Sequence, residues 1–187
     1  MDIYLIRHTS VDVPKGLCYG QSDVPSTNTF EEEAKVIQKK LPSTQVDFDL
    51  HSSPLSRCTH LMEFLFLEKV FQTDKRWMEM NFGDWEMKLW NDIPEEESQQ
   101  WMQDFVNVAT PNGESFSQMI ERVKSVWEET LQQSTNDKVI VCHGGVIRTI
   151  LHLILEIPAQ KVFAVDIDYG SVIKIQYQYG FFKVKFL

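Results

Sequence analysis

Cysteine is scarce: Cys18, Cys58 and Cys142 are the three in 187 residues. The odd count, the wide spacing and the lack of a C-x-x-C pair argue against a disulfide scaffold or a structural zinc site. Long apolar runs are missing too, and no window approaches the roughly 18 uninterrupted apolar residues of a membrane span. The first residues, MDIYLIRH, have neither the basic start nor the apolar stretch of a signal peptide. Positive charge is short: 18 Lys and Arg face 27 Asp and Glu, for a net charge of -9. Nucleic-acid phosphates demand a basic face, so no nucleic-acid partner is expected. A few local arginines would still suffice for a small anion. No internal repeat, low-complexity tract or linker divides the chain. These absences leave a cytoplasmic enzyme or binding protein with no membrane partner.

The length fits one domain, 1–187, able to bury about 70% of its unfolded surface. Residues 2 to 7 read as a buried strand that stops at Arg7-His8. Residues 12 to 29, with Pro14, Gly16, Gly20 and Pro25, read as a long loop, a common carrier of function. Asn28 and Glu31 suggest a capping box for the helix FEEEAKVIQKKL, which Pro42 ends. VDFDLHSS, 46 to 53, reads as a second strand, with Pro54 opening the next helix. A short strand is expected near Lys75 to Met78, then loop and short helices over 79 to 113. Residues 114 to 133 have helical spacing, and DKVIVCHGG, 137 to 145, is a strand leading into the helix VIRTILHLIL, which Pro158 ends. Residues 169 to 187 alternate, turn near Gly180 and alternate again. Strands alternating with helices predict a three-layer α/β/α sandwich with a largely parallel sheet, helices on both faces and a C-terminal β-hairpin.

Ligands of such sheets bind at the carboxyl ends of the strands. Arg7-His8, Ser52-Ser53 with Arg57, Glu79, and His143-Gly144-Gly145 fall at such ends. Arginines present donor forks to phosphoryl oxygens. A neutral imidazole can attack phosphorus. A carboxylic acid can protonate the leaving oxygen and then activate water. Glycines opening a helix let backbone N–H groups approach an anion. Each element alone is weak, since arginines, carboxylates and strand-end glycines are common.

In the order LIRH (5 to 8), YGQSDVPS (19 to 26), SSPLSRC (52 to 58), EMNFGDWE (79 to 86) and CHGGVIR (142 to 148), the segments resemble the histidine phosphatase superfamily, in its phosphoglycerate-mutase-like branch. The resemblance spans nearly the whole chain. It implies that His8 is the nucleophile that becomes phosphorylated. It implies that Arg7, Arg57 and His143 bind the phosphoryl group, and that Glu79 serves as proton donor and then base. It implies no metal and no cofactor, and a small phosphorylated metabolite as partner. Gly144, Tyr19 and Gln21 are further candidates for substrate contact. The family usually has Gly-Glu after the nucleophile, where this chain has Thr9-Ser10, and an asparagine near Pro14, where this chain has none before Asn28. Ser10 or a backbone N–H is the candidate replacement for the missing phosphate donor.

Within the family, GLCYGQSDVPS and the short FGDWE region resemble the alpha-ribazole phosphatases, which dephosphorylate alpha-ribazole 5'-phosphate in assembly of the cobalamin nucleotide loop. Other readings are a phosphoglycerate mutase, a small-molecule phosphatase of broad specificity, and a phospho-ligand binding protein without catalysis. A metal site from His8, His143 and Glu79 is disfavoured, because two arginines would repel the cation. His51, His60 and His152 are read as structural, Cys142 as a core residue, and Trp85 as a packing aromatic that could line a leaving-group pocket.

Overall fold

The computed structural model describes residues 1–43 and 47–187. Six strands form one sheet in the order β3-β2-β4-β1-β5-β6. β1 spans Asp2–Arg7, β2 Asp49–Ser52, β3 Gln72–Thr73, β4 Lys138–Cys142, β5 Val172–Gln178 and β6 Phe181–Phe186. The first four run parallel to one another, while β5 pairs antiparallel with β1 and β6 antiparallel with β5 at the edge. The helices are α1 (Phe30–Lys40), α2 (Ser56–Leu65), α3 (Glu95–Gln103), α4 (Phe116–Gln133) and α5 (Gly144–Leu155).

The two faces of the sheet follow from period-two alternation along its strands. Ile3, Leu5, Ile140, Cys142, Ile173 and Ile175 face α4 and α5, where Met119, Val123, Ile147 and Ile150 meet them. Tyr4, Ile6, Leu50, Val139, Val141 and Val172 face α1 and α2, against Ala34, Ile37, Leu61 and Met62. The result is the expected three-layer α/β/α sandwich with a largely parallel sheet. The C-terminal hairpin turns at Tyr179 (φ 52) and Gly180 (φ 82), two left-handed residues in a row, as a tight two-residue turn requires.

Several local expectations are corrected. α1 is capped at Thr29 rather than Asn28; the Thr29 hydroxyl donates to Glu33 at 2.6 Å, in place of an Asn28–Glu31 box. α2 begins at Ser56, two residues after Pro54, with Leu55 still extended. The strand expected at 75 to 78 lies earlier, at Gln72–Thr73, and Lys75–Trp77 is a 3-10 turn capped by Asp74. α5 stops at Leu155 on a left-handed Glu156, before Pro158 is reached. Of the segment read as strand over 46 to 53, Asp49–Ser52 is strand, and Val46 lies outside the described residues. Among the described residues, no helix is long and apolar enough to cross a membrane.

Because β4 lies between β2 and β1, their carboxyl ends lie side by side. The His8 N–H donates to Cys142 O at 3.1 Å, and the Ser53 N–H to Val141 O at 2.9 Å. The residues just beyond the three strands, His8, Ser53 and His143, are therefore set next to one another at one edge.

Candidate active site

His8 leaves β1 and is almost fully buried. Its Nδ1 lies 2.7 Å from the Thr9 carbonyl. A carbonyl only accepts, so Nδ1 carries the proton and Nε2 keeps its lone pair. Arg57 Nε–H donates toward that Nε2 at 3.3 Å. Burial first, and the Arg57 and Arg7 charges with it, hold the imidazole pKa well below 6.5. His8 is therefore a neutral ring at neutral pH, with its unprotonated nitrogen facing a guanidinium.

Arg57, buried on the first turn of α2, donates through Nη1 to Ser22 O at 2.9 Å and through Nη2 to Gly20 O at 2.7 Å. Arg7, the last residue of β1, donates through Nη1 to Ile167 O at 2.6 Å. Its guanidinium stacks 3.9 Å from the centre of the Tyr169 ring. Arg7 Nε is buried without a partner among the described residues. His143 lies behind His8, with ring centres 5.1 Å apart. Its Nε2 is 2.8 Å from Ser53 Oγ, and its buried Nδ1 has no partner among the described residues. Burial, then His8 and the arginines, push its pKa well below 6.5.

Glu79 reaches the same edge from the loop after Trp77. Its Oε1 accepts the Met80 N–H at 2.9 Å, and its Oε2 accepts the Gly145 N–H at 3.0 Å, at the start of α5. Arg122 on α4 donates to the Glu79 carbonyl at 3.3 Å and to Met78 O at 2.9 Å, fixing the loop from behind. Gly144 lies beneath the Arg7 and Arg148 guanidiniums, and a Cβ there would crowd Arg148 Nη1.

These groups open into a cavity of about 310 Å³. Arg7, His8, Arg57, Glu79 and Arg148 line its polar end. Met80, Phe82, Trp90, Trp101, Phe116 and Phe163 line much of the rest. Among the described residues, no carboxylate lies within 4 Å of any of the three arginines. The polar end therefore holds three cations and one carboxylate inside a chain whose net charge is -9.

Of the residues singled out from sequence, Arg7, His8, Tyr19, Arg57 and Glu79 line this cavity, while His143 and Gly144 do not line it but pack against His8 and the Arg7 guanidinium. Gln21 does not line the cavity; its amide donates to Glu79 O at 3.0 Å instead. Ser10 does not line it either: its N–H is taken by Glu33 at 2.8 Å, which turns the residue toward α1. Trp85 is buried and donates to Glu97 at 2.9 Å, so Trp90 and Trp101 form the aromatic wall instead.

Sequence reading missed Arg148 and Tyr169. Arg148 follows Gly144 by four residues on α5, so helical spacing places both on one face. Tyr169 gave no local signal. It reaches His8 because β5 runs antiparallel beside β1, and the Gly170 N–H donates to His8 O at 3.1 Å. The Tyr19 and Tyr169 hydroxyls bond to each other across the mouth of the site.

Comparison with known proteins bears on the family and the fold. The adenosylcobalamin/alpha-ribazole phosphatase of Escherichia coli (strain K12) is 28% identical over 196 residues, covering 98% of this chain and 95% of that protein. The "probable phosphoglycerate mutase GpmB" of Serratia proteamaculans (strain 568) is 26% identical, covering 95% and 86%. The crystal structure of the alpha-ribazole phosphatase from Shigella flexneri matches with a TM-score of 0.89 at 26% identity, covering 100% of this chain and 96% of that one. The family model for the histidine phosphatase superfamily (branch 1) matches residues 3–187. A match over that span, on a sandwich with both histidines at one sheet edge, means that the chain belongs to the histidine phosphatase superfamily, branch 1.

Proposed function

We propose that this protein is a phosphomonoesterase that works through a phosphohistidine on His8, and that its substrate is alpha-ribazole 5'-phosphate. The observation that carries the first part is the neutral His8 ring, with Nε2 unprotonated and facing the Arg57 Nε–H. In this reading Nε2 attacks phosphorus, and the P–O bond to the leaving group breaks. Glu79, protonated, gives its proton to the departing oxygen. Water then attacks phosphorus, the P–N bond breaks, and Glu79 takes the proton of that water. Arg7, Arg57 and His143 bind the phosphoryl oxygens and stabilise charge as it shifts during transfer. Arg7 Nε, a buried donor, and His143 Nδ1, a buried ring nitrogen, have no partners among the described residues and are placed to serve that task.

The second part rests on the wall of the cavity. Phe82, Trp90, Trp101, Phe116 and Phe163 offer an aromatic surface to the leaving group, which suits a flat, apolar base on a ribose. Relatives named as alpha-ribazole phosphatases support the same choice. A phosphoglycerate mutase is the second reading. Arg148 favours it, because a third guanidinium in the cavity suits a leaving group with its own carboxylate.

The test is a substrate panel with chelator present. Alpha-ribazole 5'-phosphate should be hydrolysed faster than phosphoglycerates, sugar phosphates and nucleotides. His8→Ala should lose turnover by at least about 1000-fold, as removal of a covalent nucleophile does, together with any acid-labile phosphoenzyme. Isomerisation of 3-phosphoglycerate outpacing phosphate release would favour the mutase. Tight phosphate binding without turnover of any ester would replace both with a binding protein.

A further inference from the structure

Glu86 takes no part in the chemistry above, yet its carboxylate gathers four donors. It accepts the N–H groups of Gln21 at 2.8 Å, Ser22 at 2.6 Å and Phe82 at 3.2 Å, and the Ser22 hydroxyl. A carboxylate can take this many donors because both oxygens only accept. Burial raises its pKa, but the bonds from Ser22 and Gln21 outweigh that and hold it below 4.5. The group is thus a fixed anion that ties residues 20 to 22 to the loop after Glu79.

That stretch of backbone holds Arg57 in turn. Gly20 O and Ser22 O are the acceptors for Arg57 Nη2 and Nη1. The guanidinium is planar, so fixing both Nη groups fixes the direction of Nε–H. That direction leads to His8 Nε2, 3.3 Å away. The crossing has little slack: a Cβ on Gly20 would overlap the Met80 carbonyl and crowd Glu86. Gln21 meanwhile donates to the Glu79 main-chain carbonyl, so the same three residues hold both Arg57 and the loop that carries Glu79.

We infer that Glu86 is a positioning residue for phosphoryl transfer, acting through the backbone of residues 20 to 22 to aim Arg57 at the phosphoryl group on His8. The inference rests on the reading of His8 as nucleophile. An amide in place of the carboxylate would turn an NH2 donor toward backbone N–H donors. Residues 20 to 22 would shift, and Arg57 with them.

A double-mutant cycle tests it, using Glu86→Gln, Arg57→Lys and the combination. Two quantities are read: kcat and the dissociation constant for inorganic phosphate. In E86Q, kcat should fall about 10- to 100-fold, as a small misplacement at a reacting centre does, and phosphate should bind more weakly. In the double variant both quantities should stay within about twofold of R57K alone, because one path carries both effects. A carboxylate that only staples two loops would give losses that multiply, and multiplied losses overturn the proposal. So would a normal kcat and phosphate affinity in E86Q. Should E86Q not fold, Glu86→Asp, which keeps the charge but shortens the reach, enters the same cycle. Failure of the wild-type protein to form an acid-labile phosphoenzyme would overturn the reading of His8 instead. The phosphate cycle, which needs no turnover, would still decide the role of Glu86.

Discussion

At the scale of single residues, Gly145 shows how closely the site is built. Its N–H donates to Glu79 Oε2, and a Cβ there would overlap Glu79 Oε1. Only a glycine lets the carboxylate sit against the first turn of α5. Gly145→Ala should therefore displace Glu79 while leaving His8 and the arginines in place. If Glu79 is the proton donor, the loss depends on the leaving group. An alkoxide leaves poorly and needs the proton, whereas p-nitrophenolate leaves unaided. The expected loss is about 100-fold or more on an alkyl phosphate, within the range for general acid catalysis, and far smaller on p-nitrophenyl phosphate. Measuring kcat/KM for both esters checks it, and equal losses would remove Glu79 from the proton-donor role. Glu79 was legible only through the resemblance of its surrounding motif, since one carboxylate in a loop has no pattern of its own. Arg148 could have been read from its spacing to Gly144. Tyr169 could not, because its neighbour His8 is 161 positions away in sequence and the contact depends on how β5 pairs.

At the scale of elements, the long segments were readable and the short ones were not. β1, β4, α4 and the hairpin carry enough residues for their periods to show. β3 has two residues, and a period cannot be seen in two. The cap of α1 was expected one residue early and the start of α2 two residues early, because Asn28, Thr29 and Pro54 are all acceptable start signals and tertiary contacts choose among them. α4 has the most complete cap: the Ser115 hydroxyl accepts the Gln118 N–H, and the Gln118 side chain accepts the Ser115 N–H at 2.8 Å. This helix also carries Arg122, which pairs with Glu114 and holds the Glu79 loop. Ser115→Ala should cost about 1 kcal/mol of unfolding free energy, the usual value of a lost cap. Urea titration measures it. The kcat of the folded variant should match that of the wild type, because the later turns of α4 stay packed on the sheet. A large fall in kcat would mean that the cap, rather than packing, sets the position of Arg122.

At the scale of the molecule, building the site at the sheet edge affects stability. The topology buries three histidines in or beside parallel strands: His8, His51 and His143. All three have lowered pKa values, with burial the largest cause in each. In the unfolded chain each titrates near the ordinary 6.5. As pH falls below that value, the unfolded state binds protons that the native state does not. Stability must then fall with pH, by up to about 1.4 kcal/mol per pH unit for each histidine. The carboxylates with lowered pKa values, Asp49, Asp74 and Glu86, have ordinary values of 3.8, 3.8 and 4.5, so their losses begin further into acid. The window between about pH 6.5 and 5 therefore belongs to the histidines. Within it, burial and the arginines make the folded His8 harder to protonate than an unfolded histidine, so kcat should fall less steeply than global stability. Urea unfolding at pH 7, 6 and 5 gives the slope, and His143→Gln should reduce it by one histidine's share, up to about 1.4 kcal/mol per pH unit at the acid end of the window. A slope equal to that of the wild type would mean that His143 binds its proton equally well folded and unfolded, and that burial at this edge does not set its charge.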